Sequence, residues 1–442
     1  MRTKLFITIG NVVTALLVGP TASGQVTPPA ETELAKLLAS DGGPSDKFGF
    51  SLDAEGDTLL IGSPHHYSPP DGLGSVYVFG RAAGGTWQEQ DRLFPSDPRL
   101  GTEFGHDVAL DGDTFVAGAP FEMDEEGAFM GAAYVFVRDA AGTWSESQKL
   151  VAPGITGGDL FGKSVALDGD FAVFSGGMDA YVYTRDAQGA WSFQTVLQGI
   201  STHAIALHAQ TILLAGSFAE GDFGAVVYVQ GPAGWVPQAE LHLPPADEND
   251  FGVVSVAIEG DTAVLGVRTL FGTLNGAFVF VRSAGVWTGQ AAPLPEDVAG
   301  DNFGSAVDIA GNRFIVGATH NAFTGAAWVY SRNPTGNWTP LVKLVPSDFP
   351  LSFGFAVKLD GPTPFVGAWA DADAAPYAGS AYVFDDVATQ CPADLDGDGS
   401  VGIQDFLALL GSWGTPGGDI DGDGVTGIQD LLALLAAWSG CA

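Results

Sequence analysis

The stretch "FGHDVALDGDTFVAGAP", residues 104–120, decides how the chain folds. Two short apolar runs, "VAL" and "TFVAGA", flank "DGD", a triplet whose Asp and Gly residues favour a tight reversal. The stretch therefore predicts two antiparallel strands joined by a turn. Its relatives lie in the same chain. Copies begin at Phe48, Phe104, Phe161, Phe251, Phe303 and Phe353, and a degenerate one near His203 ("HAIALHAQTILLAGS") lacks the Phe-Gly pair. That makes seven.

Each copy continues in the same way. "GAAYVFVR" (131–138) alternates small and aromatic residues and predicts a buried third strand. "GTW" then introduces a fourth, more polar strand, "WSESQKL" (144–150). Trp87, Trp144, Trp191, Trp235, Trp287 and Trp338 all occupy this position, and such regular recurrence predicts packing between neighbouring repeats. Four strands in a unit of about 40 to 57 residues describe a propeller blade. The last copy stops after "SAYVFDD", one strand short. The missing strand is expected from the other end, because "LAKLLASDGGPSDKFG" (34–49) resembles "SQKLVAPGITGGDLFG" (147–162). An N-terminal strand that completes the last blade closes the ring and leaves no exposed edge.

These repeats resemble the FG-GAP repeat family, the blades of integrin-alpha-like propellers, over roughly residues 33–385. The resemblance implies a closed seven-bladed propeller that serves as a binding or adhesion module. Several blades of that family hold calcium in a "DxDxDG" loop after "GAP". The corresponding stretches here, "PHHYSPPDGLG", "FEMDEEGAFMG" and "FAEGDFG", lack that spacing, so Asp124, Glu125 and Glu126 are expected to be ordinary surface acids.

The chain ends by writing one sentence twice: "ADLDGDGSVGIQDFLALLGSWG" (393–414) and "GDIDGDGVTGIQDLLALLAAWS" (418–439). Residues 391–442 contain eight acids and no Lys or Arg, and the acids fall at matching offsets. Calcium takes six to eight hard oxygen ligands, which a 12-residue loop supplies from positions 1, 3, 5, 7 and 12. Asp394, Asp396, Asp398, the Ser400 carbonyl and Asp405 take those places in the first copy. Asp419, Asp421, Asp423, the Val425 carbonyl and Asp430 take them in the second. Two calcium ions are expected. Each loop runs into an apolar helix, and in the first Ile403, Phe406, Leu407 and Leu410 have the spacing of a buried face.

This loop-helix pair resembles the type I dockerin family, an EF-hand-like module that docks onto a cohesin. The resemblance implies that Ile403 and Gln404, with Ile428 and Gln429, contribute to recognition of a cohesin-like or cell-surface scaffold protein. Cys391 and Cys441 bracket the module. In an exported protein they are read as a disulfide clasp worth about 4 kcal/mol if unstrained, in preference to two free thiols.

Export itself is expected from Arg2 and Lys4 ahead of an apolar run and small residues at Ala22, Ser23 and Gly24, the pattern of a cleaved leader. The domain reading is a signal peptide over 1–24, a propeller over 25–385, a linker over 386–390 and the paired calcium-loop domain over 391–442. No segment is a convincing membrane span. A net charge of −35 argues against nucleic acid as a partner. The fold expected is mainly β, a seven-bladed propeller with a small α-helical C-terminal domain.

No HExxH, GxSxG, phosphate loop or zinc-type CxxC is present, so no catalytic residue is assigned. His65 and His66 read as solvated loop residues, His203 and His208 as structural variants of the degenerate blade. Asp111, Asp113, Asp168 and Asp170 read as turn residues. The function expected is an exported, non-enzymatic binding protein with an unknown protein or polysaccharide ligand on one propeller face. The alternative is a glycoside hydrolase or accessory subunit of an extracellular polysaccharide-degrading complex, recruited through the tail.

Overall fold

In the computed structural model the described residues are 12–14, 30–65, 73–97, 99–218, 222–243, 250–269, 276–290, 292, 294–295, 302–320, 324–333, 336–387, 393, 395, 401–420 and 425–438. They form two compact units, Met1–Asp385 and Asp386–Ala442. The first is a seven-bladed propeller of four-stranded antiparallel blades. The second blade is representative: Val108–Asp111, Thr114–Ala119, Ala132–Arg138 and Trp144–Leu150 run from the inside outwards. The reversal read from "DGD" is there, with Asp111 paired to Thr114.

The degenerate fourth copy folds into a full blade, Ser201–His208, Thr211–Ser217, Phe223–Gly231 and Gly234–His242. The ring closes as expected. Ala35–Leu37 pairs antiparallel with Ser380–Val383 as the outer strand of the last blade. Two further short strands lie parallel on outer edges, Ala30–Thr32 on the sixth blade and Val12–Thr14, within the stretch read as a leader, on the fourth.

The Phe-Gly and Gly-Ala-Pro motifs interlock between blades. Phe48, Phe104, Phe161, Phe303 and Phe353 are fully buried. Gly131 of the second blade bridges Phe161 of the third. A Cβ on Gly118 would overlap the carbonyl of Gly162 in the next blade, so both repeat glycines are needed for the blades to touch. The tryptophans pack as predicted: Trp87 meets Phe365 of the seventh blade edge-on, and Trp235 meets Phe171 of the third. Burying such rings between sheets contributes on the order of 2 kcal/mol each.

The C-terminal unit holds two nine-residue helices, α1 (Ile403–Gly411) and α2 (Ile428–Ala436), with a 3₁₀ turn at Pro416–Gly418 between them. Among the described residues no helix is long and apolar enough to cross a membrane.

Candidate functional site

The seven inner strands surround a central channel of about 1010 Å³. Each strand runs in the same sense from its Phe-Gly end to its turn, so equivalent residues form rings at successive depths. At the turn end five of the seven blades carry an acid, spent on structure, and the fourth and sixth carry His208 and Ala310. Glu55 accepts the Gly112 amide at 2.6 Å, Asp111 that of Gly169 at 2.6 Å, and Asp360 that of Gly56 at 2.8 Å. Asp168 and Glu259 do the same for Ala209 and Gly311. The second acid of the turn also has a repeated task. Asp57, Asp113, Asp170 and Asp261 pair with Arg81, Arg138, Arg185 and Arg282 at 2.6–3.1 Å. Each guanidinium in turn lies 5.1–5.6 Å from the centre of Trp87, Trp144, Trp191 or Trp287. Asp111, Asp113, Asp168 and Asp170 are turn residues as expected, and they also bind neighbouring elements together.

One level deeper, Ala109, Ala166, Ala206 and Ala257 line four blades, whereas the sixth, seventh and first carry Asp308, Lys358 and Asp53. Lys358 Nζ lies 3.0 Å from Asp53 and 3.5 Å from Asp308. Burial alone would lower the ammonium's pKa, but the two carboxylates outweigh it and hold Lys358 above the usual lysine range. Asp107 is nearby and accepts amides from Val165 (2.8 Å) and Val108 (3.1 Å). Burial nevertheless pushes its pKa up to about 6.

The Phe-Gly end is different. Its ring is Phe50, His106, Lys163, His203, Ser305 and Phe355, joined by Arg268 from a second strand. It contains no acid. Just outside, Lys47 and Glu103 precede their Phe-Gly pairs with φ of 60° and 54°, a left-handed conformation that non-glycine residues hold only when neighbours fix it. The fixing is a backbone turn, in which the Lys47 carbonyl accepts the Phe50 amide at 3.2 Å and the Glu103 carbonyl the His106 amide at 3.0 Å, and the side chains add to it. Lys47 Nζ lies 3.2 Å from His65 Nε2, and Glu103 is hydrogen-bonded by His65 (2.9 Å) and His106 (3.0 Å). Burial would raise Glu103, yet the bonds from His106 and His65 hold it down at about 2. A chain of rings crosses the same mouth. Phe50 lies 5.0 Å from His106 and 4.9 Å from Phe355, which leads at 5.9 Å to Trp369 and at 6.4 Å to Tyr377.

One reading of the histidines is thereby corrected. His65 is half-buried and bonded to Glu103, because the loop folds back over the first Phe-Gly turn. His203 lies at the mouth of the channel, while His208 lines its turn end. His66 lies outside the described residues. The signal that could have found the mouth is in the repeats: the residue two places after Phe48, Phe104, Phe161, Phe303 and Phe353 changes type from copy to copy while its surroundings do not.

Asp124 accepts the amides of Glu126 and Ala128, as befits a surface turn. Among the described residues, Asp348, Asp371 and Asp373 come close enough to share a cation. Lys36 supplies one: its Nζ bonds Asp348 and lies 2.7 Å from Asp371 and 2.6 Å from Asp373. Lys149 stands likewise between Asp97 and Glu122.

In the C-terminal unit Asp405 and Asp430 are buried and do identical work. Asp405 accepts the amides of Leu395 and Gly402, both at 2.7 Å, and Asp430 those of Ile420 (2.6 Å) and Gly427 (2.5 Å). Each carboxylate ties its loop's entrance to its helix start. The oxygen-only donor set suits a hard cation such as calcium. Asp419 and Val425 are described, whereas Asp394, Asp396, Asp398, Ser400, Asp421, Asp423, Cys391 and Cys441 lie outside the described residues. The helix face expected to be buried is corrected. Of that face only Phe406 packs against the core, which is built on Leu409 and Leu434; Ile403, Leu407 and Leu410 are exposed, as are Ile428, Leu432 and Leu435. A helix this short, packed against one partner, buries one narrow stripe, and here that stripe runs through Asp405 and Leu409. Gln404 and Gln429 are exposed beside the isoleucines.

The FG-GAP repeat family model matches residues 32–79, 87–136, 144–188, 287–330 and 338–384, more than half of the chain. The unmatched stretch between 188 and 287 holds the blade without a Phe-Gly pair. No curated relative matches the chain. A solved structure of a protein from Lactobacillus plantarum is similar at 18% identity with a TM-score of 0.47, over 70% of this chain and 86% of that one. By the extent of the repeat match, the chain belongs to the FG-GAP repeat family.

Proposed function

We propose that this is an exported, non-enzymatic binding protein whose propeller takes its ligand on the face carrying the basic and aromatic channel mouth. The observation that carries this reading is where the repeats stop repeating. At the turn end five of the seven blades carry an acid that accepts an amide of the next blade's turn, whereas at the mouth the equivalent position in six blades is Phe, His, Lys, His, Ser and Phe. Varied side chains on a rigid, uniform frame are what selective binding requires. Binding is favoured over hydrolysis because the channel carboxylates have other work. Asp53 and Asp308 share Lys358, and Asp107 accepts two amides. A glycosidase needs one carboxyl group to give a proton and another to attack.

The tail, in this proposal, is a dockerin-like module that takes two calcium ions and docks onto a cohesin-like or cell-surface scaffold. Its support is the matched placement of Asp405 and Asp430 and the exposed stripe shared by α1 and α2. Retention of the full chain on immobilised extracellular polysaccharides and proteins tests the propeller. Retention should be lost in F355A and K163E, and mouth variants that bind like the parent chain would refute it. Calorimetry with Ca²⁺ tests the tail: two ions per chain are expected, and no heat would remove the calcium reading.

A further inference from the structure

The channel is electrically polar. In a chain with 17 Lys and Arg against 52 Asp and Glu, one end of the channel carries Glu55, Asp111, Asp168, Glu259 and Asp360. The other carries Lys163, Arg268, His106 and His203, and the one acid beside them, Asp107, is bonded to the Val165 and Val108 amides. The turn-end acids are consumed by backbone amides, as described above. Lys163 and Arg268 make no ion pair among the described residues, and the buried Nε of Arg268 has no acceptor. Neither neighbouring titratable group gives these two cations a bonded counter-ion. Burial, with Lys163 adding repulsion, holds the His203 pKa below its ordinary value. Glu103, the acid just outside, is already committed to His65 and His106. A low-dielectric channel focuses such a field on whatever enters it.

The aromatic chain adds shape. Phe50, Phe355, Trp369 and Tyr377 step outward from the mouth to the rim of the seventh blade, and Tyr377 is about half exposed. Lys47 lies over Trp369 at 5.2 Å, adding positive charge beside the rings. Flat apolar rings next to cations suit a ligand made of linked rings that alternate C–H faces with carboxylates. The channel's volume accommodates several such units.

We infer that the mouth binds an acidic saccharide, with uronic-acid carboxylates directed at Lys163 and Arg268 and sugar faces laid on the Phe355–Trp369–Tyr377 rings. This rests on the proposed ligand face and names its ligand class. The test is calorimetry of the full chain with oligomers of galacturonic, mannuronic and glucuronic acid, each beside its carboxyl-reduced neutral counterpart. Binding of at least one acidic oligomer is expected, weaker by about tenfold or more for the neutral form, for K163Q and for R268Q, and weakened by 0.5 M salt. K163Q changes an exposed side chain, which keeps the test valid if R268Q folds poorly. Equal binding of acidic and neutral forms, lost in K163Q, would overturn the acidic class and leave the ligand face standing. Binding indifferent to both variants would overturn the two together. No binding of any oligomer would overturn the acidic-saccharide inference alone.

Discussion

Lys358 Nζ lies 3.0 Å from Asp53 Oδ1 and so joins the last blade to the first across the seam where the ring closes. Asp308 extends the link to the sixth blade. On the outside of the same blade, Lys36 of the closing strand is gripped by Asp348, Asp371 and Asp373. Replacing Lys358 by Met leaves two carboxylates facing each other in the channel. We expect K358M to lose about 2–4 kcal/mol at pH 7 in urea unfolding, and less at pH 4, where protonation relieves the repulsion. An unchanged midpoint at pH 7 would show that the triad is screened by channel water.

Asp107 provides a pH test of opposite character. Its native pKa of about 6 lies above the ordinary 3.8, so the folded chain holds this proton more tightly than the unfolded one. The sign follows: stability falls as pH rises from about 4 to 6, and the deficit persists above that window. D107N keeps an acceptor for the Val165 amide and removes the charge. It should be more stable than the parent by about 1–2 kcal/mol at pH 8 and equal to it below pH 4. A less stable variant at pH 8 would mean that the ionised carboxylate is net favourable.

The two kinds of repeat glycine should differ sharply. Gly118 has the Gly162 carbonyl where its Cβ would be, whereas Gly112, in the "DGD" turn, has open space and a φ of 57°. G118A should cost more than about 3 kcal/mol because two blades must separate, and G112A about 1 kcal/mol of backbone strain. Thermal unfolding of both variants checks the ranking, and similar losses would refute the interlock.

In the C-terminal unit, Asp405 holds its loop to its helix through two amides, so D405A should lower helicity even with calcium present. D396N, by contrast, should reduce the calcium stoichiometry from two to one while leaving the second loop's binding intact. Circular dichroism of the full chain separates these outcomes poorly against a β background. Calorimetric stoichiometry and amide exchange at Gly402 and Gly427 are the sharper readouts.

The repeat period, the "DGD" reversal, the recurring Trp and the strand supplied from the N-terminal side were enough to read seven closed blades, because each is a local pattern written several times. The same repetition located the acids of the tail. The channel mouth was not legible, since His65, Glu103 and His106 belong to different loops and acquire meaning only when blades one and two meet. His203 looked like a degenerate residue for the same reason. The exposed helix stripe was misjudged because spacing identifies a face and not the partner it faces. Periodicity along the chain thus determined the architecture, while the polarity of the channel and the Asp308–Lys358–Asp53 link arose only when the inner strands were brought side by side around one axis.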